Sequence, residues 1–281
     1  MLSFDSILTK TPHAICAVFA SDLHLSAHTP ALNTAFCQFI NQLHTLHSLK
    51  DVYILGDFLD AWAGDDEYLI APNTHWLQPV VITLKTLSAN ANLYLMHGNR
   101  DFMIGQKLCR TLGAKLIDAP YYLDAPLPTD WDAPLFDDFP LNKQSHRTIR
   151  LEHGDALCTD DVSYQRYRAI IQHPITKICL SALPLSVRQR LAGTLKNTST
   201  TQKTQKKLSL MDVNNHATAV ALTTCDTLIH GHTHRPFVHS YKNKQRLVLG
   251  DWRLVDGYVC AEVAVLLTDG QLLLCRYHTK A

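Results

Sequence analysis

Residues 52–62, Val52-Tyr53-Ile54-Leu55-Gly56-Asp57-Phe58-Leu59-Asp60-Ala61-Trp62, set a pattern that the rest of the chain repeats. Val52–Leu55 is a short apolar run of the kind that forms a buried strand, and a glycine and a carboxylate stand where it stops. Four further runs end in the same way. Ala17–Ala20 leads into Ser21-Asp22-Leu23-His24, and Leu93–Met96 into His97-Gly98-Asn99-Arg100-Asp101. Ile149–Glu152 leads into His153-Gly154-Asp155, and Thr227–Ile229 into His230-Gly231-His232-Thr233-His234. In open α/β sheets, ligands bind beyond the carboxyl ends of the strands. Five strand ends carrying Asp, Asn or His therefore predict one shared site.

Carboxylate, imidazole and amide oxygen without thiolate suit a divalent ion such as Mn²⁺, Fe²⁺ or Zn²⁺. The alternate spacing of Asp22-x-His24 lets both side chains reach one ion, and His232-x-His234 can serve two adjacent ions. Two metals ~3.5–4 Å apart need a shared carboxylate and can share a hydroxide that attacks phosphorus. The expected arrangement gives Asp22, His24, Asp57 and His234 to one ion. Asp57, Asn99, His153 and His232 go to the other, with Asp57 as the bridge. Asp60 and Asp101 are expected to orient ligand imidazoles or loop amides, against the plainer reading of a loop-stabilising hydrogen bond. Taken singly, each fragment is commonplace; Asp-x-His is usually a surface pair and Gly-Asp a turn. Their order, each after an apolar strand, carries the signal.

The rest of the chain narrows the setting. At 281 residues it can bury a large core, and a formal net charge of +1 argues against a general polyanion binder. The eight cysteines include no Cys-x-x-Cys, which predicts reduced thiols and a cytosolic setting. Ala14–Ala20 is too short for a secretory signal, and no stretch reaches the ~20 apolar residues that cross a bilayer.

Thr29 is placed to cap a helix with Pro30 at its first position, and Leu32, Phe36, Phe39, Ile40, Leu43 and Leu46 share one face. Helices are also expected over 75–87 and 104–112, the latter closed by Gly113. Strand–helix alternation of this kind predicts parallel pairing. Residues 119–145, rich in Pro and Asp, read as a surface loop or insertion. Helices are expected over 163–172, from Pro174, from Pro184 to Lys196 and over 208–223, with a turn or loop over 197–205. From Val162 to Met211 there is no Asp or Glu, while lysines and arginines recur. The last third reads as strands over 237–241, 245–249, 257–267 and 272–277, the final pair joined by an Asp269-Gly270 turn.

Asp22-x-His24, Gly56-Asp57-x-x-Asp60, Gly98-Asn99-x-Asp101, His153 and Gly231-His232-x-His234 resemble the calcineurin-like metallophosphoesterase superfamily. The resemblance implies an α/β fold in which two mixed β-sheets are sandwiched by helices, with a dinuclear site at one edge. Where many members carry His between Asn and Asp in the third motif, this chain has Arg100. Arginine releases no proton but clamps phosphate oxygens in two-pronged fashion. A leaving group that needs little protonation is then expected, which points to a pyrophosphate bond rather than a phosphomonoester.

Longer stretches are similar to the UDP-2,3-diacylglucosamine diphosphatases of lipid A biosynthesis. They are His97–Phe102, His153–Asp161, His230–Pro236, Phe58–Asp66 and Leu210–Asn214, and the loop before Arg147 is longer than in that family. The resemblance implies hydrolysis of an acylated UDP-sugar at the α-phosphate, giving UMP and 2,3-diacylglucosamine 1-phosphate, with two Mn²⁺ ions per chain. It implies Asn99, Arg100 and His232 as the residues acting on phosphate. Substrate contacts are implied at Asn99, Arg100, Asp161, Ser199, Lys203, Lys206 and His232. It divides the chain into a core of residues 14–160 and 212–281 and an inserted basic and apolar helical lid, 161–211.

Ile170, Ile171, Ile175, Ile178, Leu180, Leu183 and Leu191 supply apolar faces for acyl chains, at ~0.8 kcal/mol per buried methylene, although some must hold the lid's own helices together. A cationic, apolar lid also suits an anionic membrane surface. The expectation is a monomer in the cytoplasm, peripherally associated with the inner membrane and binding no nucleic acid. Three rivals remain: a phosphoesterase of another nucleotide or phosphoprotein, a non-enzymatic scaffold on this fold, and a nucleic-acid binder using the basic segment.

Overall fold

The computed structural model describes residues 1–128, 146–205 and 212–281, with the side chains of 197–205 excepted. The strands are β1 (Leu2–Ser3), β2 (Ile15–Ala20), β3 (Asp51–Leu55), β4 (Asn92–Met96), β5 (Ala114–Ile117), β6 (Tyr121–Pro126), β7 (His146–Leu151), β8 (Thr227–His230), β9 (Phe237–Tyr241), β10 (Lys244–Val248), β11 (Arg253–Val255), β12 (Tyr258–Leu267) and β13 (Leu272–Lys280). The helices are α1 (Phe4–Lys10), α2 (Pro30–His44), α3 (Asp66–Leu69), α4 (Gln78–Leu87), α5 (Gln106–Leu112), α6 (Val162–Ile171), α7 (Pro174–Ser181), α8 (Leu185–Gln205) and α9 (Asn215–Ala221).

Two mixed sheets form. The first runs β1-β13-β12-β2-β3-β4-β5, with β11 on β12, and the second runs β6-β7-β8-β10-β9. β2 to β5 are mutually parallel, and so are β7, β8 and β10; antiparallel strands extend each set. Strands buried on both faces read as unbroken apolar runs, and β2 shows the reason. Its Val18 and Ala20 pack under the helices while Ala17 and Phe19 meet the second sheet. The helix-side core holds Phe36 and Phe39 of α2, Leu84 of α4 and Leu108 of α5. Phe19, Tyr53 and Leu55 meet Ile149, Leu151 and Ile229 between the sheets, and α9 covers the second sheet with Ala221 over Leu228. Layers of helix, sheet, sheet and helix result, as expected from the resemblance.

Several local expectations need correction. Thr29 sits at the N-cap of α2, but its hydroxyl accepts from the backbone N–H of Ser26 at 2.9 Å instead of a helix amide. The surface loop expected over 119–145 opens with β6, which pairs antiparallel with β7; its remainder, 129–145, lies outside the described residues. The turn expected over 197–205 is helical, because no glycine or proline interrupts it and α8 runs on to Gln205. Of the helix expected over 208–223, residues 212–214 are not helical and α9 starts at Asn215 after the Asn214 cap, whose side chain accepts from the N–H groups of His216 and Ala217; residues 208–211 lie outside the described residues. Ahead of the expected core start at 14, Leu2–Ser3 pair with β13 at the edge of the first sheet, and Phe4 of α1 is fully buried.

Candidate metal centre and adjoining cleft

The ligand-bearing loops leave β2, β3 and β4 of one sheet and β7 and β8 of the other. After β2 and β3 the two loops continue side by side. The N–H of Asp22 donates to the carbonyl of Gly56 at 3.1 Å, that of His24 to Asp57 at 2.9 Å and that of Leu25 to Phe58 at 3.0 Å. This lock brings Asp22 and His24 beside Asp57. The Asp101 carboxylate accepts from the N–H groups of Gly98 at 2.7 Å, Phe58 at 2.7 Å and Leu59 at 3.3 Å, bonds that serve the expected orientation of loop amides and the plainer loop-stabilising reading alike. Burial, then repulsion from Asp57, pushes the Asp101 carboxyl up to about 7.

Side chains approach from both sheets. Oδ2 of Asp57 is 3.8 Å from Nδ1 of His24, and its Oδ1 is 3.8 Å from Nε2 of His153. Oδ1 of Asp22 is 3.2 Å from Nε2 of His234, and its Oδ2 accepts from the N–H of His232 at 2.8 Å. Nε2 of His153 is 3.2 Å from both Oδ1 of Asn99 and Nδ1 of His232. The seven side chains expected to hold metal thus gather at one edge. Their tightest groups are Asp22 with His24 and His234, and Asp22 with Asp57 and His153. Asp22 belongs to both, a sharing that the expected single bridge at Asp57 omits, while Asp57 stands between His24 and His153.

The backbone is strained here. Asp22, His24, Asp57, His232 and His234 all adopt positive φ, between 50° and 67°. Non-glycine residues enter this region at a cost that persists where surrounding structure enforces it, often at functional sites. The neighbouring glycines are steric necessities: a Cβ at Gly98 would strike Oδ1 and N of Asp57, and one at Gly231 would strike Ser21 and Asp22.

The electrostatics suit cations. Burial alone would depress the His153 imidazole, but Asp57, Asp22, Asp155 and the Leu55 carbonyl outweigh it and raise it to about 9. Burial likewise opposes ionisation of Asp22, yet His234 and the other imidazoles hold its carboxyl well below the ordinary range. Oδ1 of Asp22 makes no well-aligned hydrogen bond beyond its 3.2 Å approach to His234, and Nδ1 of His24 is buried without a hydrogen-bond partner. Such oxygen and nitrogen donors inside a ring of carboxylates and imidazoles fit a pair of divalent ions. The eight cysteines are free and contribute no thiolate to either group.

A cleft of about 240 Å³ adjoins this cluster, lined on the core side by Trp62, Asn99, Arg100 and Phe102 and on the helical side by Tyr164, Leu180, Leu191 and Lys196. Nη1 of Arg100 donates to Asp60 at 2.9 Å, and its N–H donates to Asp57 at 2.9 Å. Asp161 is the N-cap of α6, accepting from the N–H of Tyr164 at 3.1 Å. The side chains of Ser199, Lys203 and Lys206 lie outside the described residues. The apolar residues of the helical segment divide: Leu180 and Leu191 line the cleft, Ile171 is buried, and Ile170, Ile175 and Ile178 face solvent.

Sequence reasoning missed three contributors. Tyr164 lies 6.0 Å from the His232 ring, centroid to centroid, and donates to Asp155 at 2.8 Å. Asp155 also accepts from Arg168 at 2.7 Å, fastening α6 to the loop after β7. Asp251 stands 3.6 Å behind Nδ1 of His234. Asp155 was visible in the His-Gly-Asp motif; Tyr164 and Asp251 have no local signal.

Residues 17–236 match the calcineurin-like phosphoesterase family. The chain is 36% identical over 239 residues to the UDP-2,3-diacylglucosamine hydrolase of Pseudomonas entomophila (strain L48), 83% of this chain and 89% of that protein. It is 35% identical over 244 residues to the protein of that name from Escherichia coli O7:K1 (strain IAI39 / ExPEC), covering 85% and 91%. A dimetal phosphatase from Danio rerio superposes with a TM-score of 0.43 at 13% identity, over 94% of this chain and 99% of that one.

Proposed function

Because the chain belongs to the calcineurin-like phosphoesterases and, among them, to the UDP-2,3-diacylglucosamine hydrolase family, we propose that it hydrolyses the pyrophosphate bond of UDP-2,3-diacylglucosamine. Water adds to the α-phosphorus, the bond from that phosphorus to the bridging oxygen breaks, and UMP and 2,3-diacylglucosamine 1-phosphate leave. The observation that carries this reading is that Asn99 belongs both to the imidazole cluster, through His153, and to the wall of the apolar cleft. A diphosphate at the cluster would therefore have its lipid end beside the cleft.

Asp22, His24, Asp57, Asn99, His153, His232 and His234 would hold two divalent ions, for which we propose manganese. Bound ions would act as Lewis acids on the phosphate and lower the pKa of a water molecule. Arg100, with its Nε 3.9 Å from Asp57, is placed to neutralise charge developing on phosphate oxygens. It has no proton to give, and a departing phosphate needs none from it. The His232 ring lies beside that of Tyr164, centroids 6.0 Å apart.

We assign the lid role to residues 161–211, with Asp161, Ser199, Lys203 and Lys206 contacting substrate, and propose that the lid's exposed apolar and basic surface rests on the anionic inner leaflet. No helix among the described residues is long and apolar enough to cross a membrane. The decisive experiment is product analysis with labelled UDP-2,3-diacylglucosamine and Mn²⁺. UMP release, with slow turnover of a phosphomonoester and phosphopeptide panel, supports the reading; faster turnover of the panel overturns it.

A further inference from the structure

The lid and the phosphate clamp meet on one carboxylate. Oδ1 of Asp60 accepts from Nη1 of Arg100 at 2.9 Å, and Oδ2 of Asp60 pairs with Nζ of Lys196 at 2.6 Å. Asp60 belongs to the loop after β3, Arg100 to the loop after β4 and Lys196 to α8. Burial alone would raise the Asp60 carboxyl, yet Lys196 and Arg100 lower it, so it is a carboxylate at neutral pH. The side chain of Asp60 is 9% exposed and that of Arg100 13%, so their contact is screened weakly, while Lys196, 36% exposed, reaches Asp60 from the solvent side.

The grip on Arg100 is one-sided. A guanidinium is a rigid planar fork, so a partner on one nitrogen fixes the direction of the others. Asp60 holds Nη1, the carbonyl of Arg100 accepts from the N–H of Trp62 at 3.1 Å, and its N–H donates to Asp57. Nε is buried with no hydrogen-bond partner and faces Oδ2 of Asp57 at 3.9 Å. The Nε edge therefore faces Asp57 of the cluster while Nη1 is held by Asp60. Other ties, among them Arg188 to Asp66, Lys177 to His97, and Tyr164 and Arg168 to Asp155, join the segment to the core but touch neither Asp60 nor Arg100.

We infer that Asp60 is a positioning residue that aims Arg100 at the phosphate and makes that aim depend on closure of the lid through Lys196. With Lys196 in place, the second oxygen of Asp60 is fixed and the carboxylate cannot rotate off the guanidinium. When α8 lifts, Asp60 loses that anchor and Arg100 loses its fixed heading. The clamp is complete only when the lid is shut over a substrate. The inference rests on the proposed function for its kinetic consequence but not for its structural one.

The test uses the full-length, metal-loaded protein and the variants Asp60→Asn, Lys196→Met and the double variant. The Arg100 Nε–H resonance is followed in ¹⁵N-labelled protein, identified by its loss in Arg100→Lys. Lys196→Met is expected to shift or broaden that resonance although Lys196 does not touch Arg100. In an Asp60→Asn background the same change should leave it unmoved. Kinetically, Lys196→Met should lower kcat for UMP release about tenfold in the parent and less than twofold in Asp60→Asn, with Asp60→Glu restoring part of the coupling. An unmoved Arg100 resonance in Lys196→Met, or independent effects of the two changes on kcat, overturns the inference and leaves Asp60 a plain lid anchor. Should the parent release no UMP, the proposed function fails and the resonance still decides the coupling.

Discussion

Nδ1 of His232 faces Nε2 of His153 at 3.2 Å, two ring nitrogens from the loops after β8 and β7 turned toward each other. Nδ1 of His153 is already committed to the Leu55 carbonyl at 2.9 Å. Without a cation, a proton must occupy the gap, and the surrounding carboxylates favour that proton. A divalent ion would be held by the same carboxylates, so metal and proton compete. Chelation should reduce turnover to background and Mn²⁺ should restore it. Asp57→Ala should hold fewer than two ions and lower kcat by at least about a thousandfold; elemental analysis beside the kinetics checks this, and near-normal turnover would refute the dinuclear assignment.

Arg100 is placed to act on charge that appears during reaction. Its guanidinium lies in the cleft wall while the neighbouring Asn99 faces His153. Arg100→Ala is expected to lower kcat by about 10²–10³, the usual loss on removing one charge-stabilising donor, with metal content nearly unchanged. Unaltered kinetics would remove the leaving-group reasoning as well as the clamp.

Gly98 is where the chain cannot accept even a methyl group. A Cβ there meets Oδ1, Cγ and the backbone N of Asp57, and Oδ1 is itself held by the N–H of Arg100. Gly98→Ala should push Asp57 out of place, cutting kcat by about a hundredfold or more and lowering the melting temperature. Gly193→Ala, on α8 where nothing lies within 4 Å of the added Cβ, is the control and should leave the melting temperature unchanged or raised. Equal behaviour of the two variants would contradict the packing described.

His97 gives a stability signature. Burial, reinforced by Lys177, pushes its imidazole down to about 4, while its Nε2 meets the Ile104 carbonyl at 2.7 Å. The folded value lies below that of an unfolded histidine, near 6.5. Between those values the unfolded chain binds a proton that the folded chain refuses. The stability from neutral His97 is therefore complete above pH ~6.5 and is lost as pH falls toward 4. The whole effect is at most about 3.5 kcal/mol. Denaturant unfolding of His97→Gln should show a shallower decline from pH 7 to pH 4 than the parent; parallel declines would show that His97 titrates normally.

The strand ends were legible because a strand buried on both faces leaves an unbroken apolar run, and because Gly56, Gly98 and Gly231 stand against ligands that tolerate no side chain. The parallel set β2–β3–β4 and all seven cluster residues follow from that pattern. Lys196 on Asp60 and Tyr164 on Asp155 were not legible, since each pair is made by how helices dock and neither has a local motif. The polar stretch 197–205 read as a turn because Thr and Ser favour caps, yet no breaker interrupts it. β6 was hidden among prolines because only the final Pro126 falls within it, at the end of an edge strand where a missing donor costs little.

The outer face of the helical segment carries the last prediction. Ile170, Ile175 and Ile178 are 63%, 64% and 69% exposed, on α6 and α7. They lie in a span with no acidic residue between Val162 and Met211, so nothing there repels an anionic surface. Burial of an isoleucine yields about 1.5–3 kcal/mol, and each nearby basic residue adds about 1 kcal/mol at a negatively charged bilayer. Replacing all three isoleucines by serine should lower sedimentation with anionic vesicles by at least about tenfold. Neutral vesicles should bind the parent weakly, and added salt should weaken the anionic binding. Because these side chains do not line the cleft, UMP release from detergent-dispersed substrate should change less than threefold. Unchanged sedimentation of the triple variant, or of one with the segment's lysines neutralised, would place membrane contact elsewhere or nowhere.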